Sequence, residues 1–132
     1  MPDDPFQYAV VRVVPCIERE EFTNVGVILF CRTRDFLAVR IELDEARLGG
    51  LTTGPPLSTI YEHLQALEQV AAGHRDAGPI ARLPASERFH WLVAPSSTVI
   101  QTSPVHTGLS GDPEAALDHL MERLVRSPRT AR

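Results

Sequence analysis

The side chains able to do chemistry crowd into one stretch, from Arg82 to His106. It carries Glu87, Arg88, His90, Ser96, Ser97, Ser103 and His106. A hydrolytic arrangement would use His90 or His106 as general base, Glu87 as its orienting carboxylate, and a serine or a water as nucleophile. With Arg88, such a set would suit a small hydrolase, with phosphoesters among its substrates. The spacing fits no nucleophile elbow, because G-x-S-x-G is absent. The competing assignment is structural: Glu87 and Arg88 on the solvated face of a helix, and the serines capping turns.

Other chemistries have less to stand on. The histidines at 63, 74, 90, 106 and 119 fall on different elements, and no C-x-x-C, H-E-x-x-H or EF-hand pattern occurs, so no metal is expected. There is no Walker loop and no G-x-G-x-x-G, and no cofactor is expected. Gly108 to Gly111 leads into a helix start, but Asp112 and Glu114 already place negative charge there and oppose a phosphate. Binding rather than catalysis has its own candidates. Trp91, the single tryptophan, either anchors a short helix to the core or serves as an interface anchor, a role that favours this residue type. The acidic connection from Glu18 to Glu21, backed by Phe22, is either a solvated loop or a dock for a basic partner. Trp91, Ser103, Glu20, Glu21 and Asn24 make up the candidate binding set.

The elements that must position these residues are organised around Val25-Gly26-Val27-Ile28-Leu29-Phe30-Cys31. No residue in that run is polar, and it is too short for a typical helix or a membrane span. It reads as a strand buried on both faces, with a neighbour on each side. Before it, Gln7 to Pro15 alternates as a strand, with Ala9, Val11 and Val13 on one face and Tyr8, Val10, Arg12 and Val14 on the other. The connection from Cys16 to Asn24 is too short for a parallel crossover, so the pair is antiparallel. After it, Arg32 to Asp35 turns the chain into a third strand, Phe36 to Leu43. There Leu37, Val39, Ile41 and Leu43 face inward, and Arg40 and Glu42 face solvent.

A single helical turn, Asp44 to Leu48, and a Gly/Pro-rich loop from Leu51 to Pro56 follow. A helix starts near Ser58 or Thr59, with Thr59 and Glu62 at capping-box spacing, a stripe of Ile60, Leu64, Leu67 and Ala71, and Gly73 as its stop. Ser86 to Leu92 is a short helix, Ser97 to Thr102 a candidate fourth strand, and Asp112-Pro113 opens a final helix with Leu117, Leu120, Met121 and Leu124 inward. The fold class is therefore α+β: an antiparallel meander sheet of three to four strands with helices packed mainly on one face. Residues 1–125 form one domain, and 126–132 a polar tail.

Composition agrees. With 43% hydrophobic and 23% charged residues, the chain is ordinary for a soluble globular domain, and its length allows about two-thirds of the unfolded surface to be buried. A net charge of −4 with no basic cluster argues against nucleic acid. All 13 basic residues are arginine, which fits codon bias in a GC-rich bacterium. The acidic, apolar-poor start is no signal peptide and no segment could span a membrane, so the expected location is cytoplasmic. In the antiparallel pairing the two cysteines lie about 20 Å apart, beyond disulfide reach, and are expected as buried thiols.

Gly78-Pro79-Ile80-Ala81-Arg82-Leu83-Pro84, Ser86 to Pro95 and Ser103-Pro104-Val105-His106-Thr107-Gly108-Leu109 resemble a bacterial family catalogued as domain of unknown function 3037. Tyr8 to Pro15 and Asn24 to Phe30 look like its first half. The resemblance covers nearly the whole chain in order. It implies a partner more than a mechanism: a HipA-like kinase, for which this chain would be an accessory.

Overall fold

The apolar run forms the second strand of an antiparallel sheet. The computed structural model describes residues 3–15, 21–46, 56–95 and 98–126. Among these, β1 (Asp4–Val13), β2 (Thr23–Cys31) and β3 (Phe36–Ile41) make the expected meander. β2 is paired on one side with β1 and on the other with β3, and every residue from Val25 to Cys31 is buried. The register places Gln7 opposite Phe30, which puts Cys31 beyond Ala9 at the level of Phe6. Cys31 is a buried free thiol, and Cys16 lies outside the described residues.

One irregularity decides which way β2 faces. Val11 pairs with Gly26 but Arg12 pairs with Asn24, so Val25 is an extra residue, a β-bulge. Without it Val25 would face the same side as Val27. With it, Val25 joins Ile28 and Phe30 in one core cluster while Val27, Leu29 and Cys31 join another.

Because β2 is apolar on both faces, both need a cover. Helices α1 (Leu57–Ala72) and α2 (Ala85–Leu92) supply Ile60, Leu64, Val70, Phe89 and Leu92 to the first cluster. Helix α3 (Pro113–Leu124) supplies Leu117 and Met121 to the second. Two helices thus lie on one face and the third seals the other. This corrects the outlook of two side chains. Arg40 is not simply solvated but pairs with Glu114 and Asp118 on α3, and Glu42 pairs with Arg126, because α3 lies over that face of β3.

Helix ends follow local rules in part. Asp112 caps α3, its carboxylate accepting from the N–H groups of Glu114 and Ala115. Gly73 closes α1 in the left-handed region, φ 73°. The Thr59–Glu62 box is not used: α1 begins a turn earlier, with Pro56 at its cap position. The short helix, read from Ser86, begins one residue earlier at Ala85, after Pro84. Asp44 accepts from the Ala46 N–H, and the rest of that turn and the loop at 51–55 lie outside the described residues.

Two short strands complete the sheet. β4 (Ile100–Thr102) pairs with the second half of β1, and β5 (His106–Ser110), an element the sequence pattern had not marked, pairs with its first half. The described sheet has five strands, ordered β3-β2-β1-β4 with β5 also on β1. Ser103 joins the two. Its N–H donates to the Val10 carbonyl at 2.9 Å, and its hydroxyl oxygen accepts from the Val10 N–H at 2.8 Å.

Candidate functional site

The reactive stretch is taken apart by the fold. Arg88 points back to the end of α1, its Nη1 donating to the Val70 and Ala71 carbonyls at 3.1 and 2.6 Å and its Nε to Leu83 at 2.8 Å. The last carbonyls of a helix lack intrahelical donors and carry the negative end of its dipole, so a guanidinium there serves as a cap. Glu87 and His90 are exposed on α2. His106 lies on β5, its ring 5.4 Å from that of Tyr8, which packs toward the α3 cluster. Glu87, Arg88 and His90 are thus on one side of the sheet, and His106 stacks on the other. Ser96 and Ser97 lie outside the described residues. Among the described residues no group of three His, Cys, Asp or Glu could hold a metal.

The binding set is also dispersed. Ser103 is buried and occupied in the strand junction. Asn24 donates through Nδ2 to the Leu124 carbonyl at 3.0 Å, tying β2 to the end of α3. Glu21 is exposed, next to Phe22, whose ring carries the Arg12 guanidinium at 4.2 Å. Glu20 lies outside the described residues.

Trp91 has a cavity beside it. A cleft of about 240 Å³ runs between α1, α2 and β4, walled by Leu67, Trp91, Leu92 and Pro95, with His63 from α1 and Thr102 from β4. Trp91 is 46% exposed although its helix neighbours Phe89 and Leu92 are buried, and Phe89 stacks on Phe30 with ring centroids 5.2 Å apart. The helix is therefore anchored by Phe89 and Leu92, which frees Trp91 to form a wall. His63 is the one titratable group in that lining and Thr98, Gln101 and Thr102 add polar side chains, so the cleft suits an uncharged, mainly apolar group. His106, Glu87, Arg88 and His90 are not among its walls.

The cleft borders an edge with an unusual composition. Between Arg88 and Asp112 the chain has no Asp, Glu, Lys or Arg, and this span contains both β4 and β5. Along β4, the bonds of Val14 N–H to Val99 and Ser103 N–H to Val10 show that the even-numbered residues of β1 point toward this side. By alternation, Ile100 and Thr102 direct their backbone groups outward. The outward carbonyl of Ile100 accepts the Thr98 hydroxyl at 2.8 Å, which leaves the N–H groups of Ile100 and Thr102 along the rim. The alternation that defines this edge has no clear mark in the sequence, whereas the uncharged run between Arg88 and Asp112 does.

The fold and this rim define a small α+β protein with an antiparallel sheet, covered on both faces and, among the described residues, open at an uncharged edge. The chain belongs to the family described as protein of unknown function DUF3037, which matches residues 8–125. No curated protein and no solved structure matches it. No helix among the described residues is long and apolar enough to cross a membrane.

Proposed function

We propose that this protein is a non-catalytic interaction module, a cytoplasmic accessory that docks an extended segment of a protein partner along β4. An added strand would use the outward N–H groups of Ile100 and Thr102 and the Thr102 carbonyl, and place one apolar side chain in the cleft against Trp91. The observation that carries this is Trp91 itself: a half-exposed tryptophan walling a mainly apolar cleft, beside a sheet edge with no charge to deter pairing. The family resemblance makes a HipA-like kinase the partner class to test.

The test is co-expression with such a kinase from the same bacterium, followed by co-purification and titration. Trp91→Ala should weaken association by ~30-fold, the scale of an interface hot spot, while leaving the melting temperature nearly unchanged. Trp91 is the only tryptophan, so its emission should shift on binding. Unchanged affinity in Trp91→Ala, or no complex at all, would contradict the proposal.

A further inference from the structure

The β5 half of the same edge carries a separate feature. Asp4, Phe6 and Tyr8 point their backbone groups at Ser110, Gly108 and His106, so Thr107 and Leu109 point theirs outward. Among the described residues no strand lies beyond β5. Leu109 is 69% exposed, the most exposed large hydrophobic residue of the described chain, and Val105 just before β5 is exposed as well. Monomeric proteins blunt such edges with charge, proline or bulges. Here the strand itself, His106-Thr107-Gly108-Leu109-Ser110, has no carboxylate, lysine or arginine.

The geometry points to a second copy of this chain as the occupant, paired antiparallel through β5 about a two-fold axis normal to the sheet. The centre of such a pairing is Gly108 opposite Gly108 of the second copy. Thr107 then lies opposite Leu109 of the other copy, and each such pair exchanges both of its N–H···O=C bonds. Gly108 suits the centre. Gly108 faces the α3 side, where its own Phe6 ring already fills the side-chain space, an ideal Cβ falling 2.5 Å from Phe6 Cζ. Two strands can therefore approach there with no side chain between them, as the close, non-hydrogen-bonded position of a ladder requires. On the opposite face each Leu109 would gain the Thr107 methyl of its neighbour, beside its own Pro5.

Charge at the edge permits this occupant. A net charge of −4 per chain opposes self-association in general, yet this edge contributes none of it, and no like-charged pair arises when β5 meets itself. The surface is isologous, as a closed dimer requires. This dimer does not depend on the β4 cleft, so Trp91→Ala should leave it intact, and failure of one reading is distinguishable from failure of the other.

Sedimentation equilibrium of the full chain tests it. The wild type should pass from monomer to dimer as concentration rises, with a Kd no weaker than about 1 mM. Thr107→Lys/Leu109→Lys, which sets lysines opposite one another, should raise Kd at least ~10-fold. Thr107→Lys/Leu109→Asp sets lysine opposite aspartate in this register and should recover most of the loss. Both sites are exposed, and circular dichroism melts check that the variants stay folded. A wild type that remains monomeric throughout would overturn the proposal. So would a dimer indifferent to the two-lysine variant, or one disrupted equally by both double variants.

Discussion

The two edges of the sheet solve the same problem in opposite ways. β3 is tied down: Arg40 reaches Glu114 and Asp118 on α3, and Glu42, just after β3, reaches Arg126. An approaching strand would meet a lattice of charges already committed to partners. Among the described residues the β4 and β5 strands carry no such lattice. Their edge is held from within by the Ser103 hydroxyl and presents Trp91, Val105 and Leu109 to solvent. One edge carries committed charges and the other is left neutral, and that difference is why both proposed associations use the neutral side.

Three substitutions sharpen that contrast, in falling order of effect. Gly26→Val attacks the closed edge, where β3 comes so near β2 that a Cβ at Gly26 would fall 2.5 Å from the Arg40 carbonyl oxygen. Backbone cannot give way as a flexible side chain can, so the loss in urea-unfolding free energy should be about 3 kcal/mol or more. Ser103→Ala attacks the open edge from inside. It leaves the buried Val10 N–H without its acceptor and should cost about 1–3 kcal/mol, with faster amide exchange at Val10. Arg40→Ala removes exposed ion pairs and should cost under about 1 kcal/mol, a loss that shrinks further in high salt. If Arg40→Ala cost as much as Ser103→Ala, the charged edge would be structural rather than a guard.

Much of this layout is legible in residue order, and what is not has identifiable causes. Val25 to Cys31 declares a doubly buried strand because its composition leaves no alternative. Asp112-Pro113 declares a helix start because both of its effects are local. The bulge at Val25 is invisible, since a run apolar throughout has no alternation to interrupt. β5 escapes notice because His-Thr-Gly-Leu-Ser has no alternating pattern, and it becomes a strand only by pairing with Asp4 to Tyr8. The same limit applies to the site. Trp91 stands out from its type alone. Arg88 reads as a surface residue because the carbonyls it caps, at Val70 and Ala71, come near only through packing of α1 and α2. His90 and His106 look like partners in sequence, and only the sheet between them shows that they face different ways.

Residue-resolved amide hydrogen exchange at low and high protein concentration compares the two edges directly. The register directs the N–H groups of Val39 and Ile41 outward from β3, just as it directs those of Thr107 and Leu109 outward from β5. Thr107 and Leu109 should exchange quickly when dilute and slow at least ~10-fold when concentrated, as their amides become paired, while Val39 and Ile41 stay unchanged. Slowing at Val39 and Ile41 instead, or no concentration dependence at Thr107 and Leu109, would contradict the assignment of the uncharged edge as the surface where this protein associates.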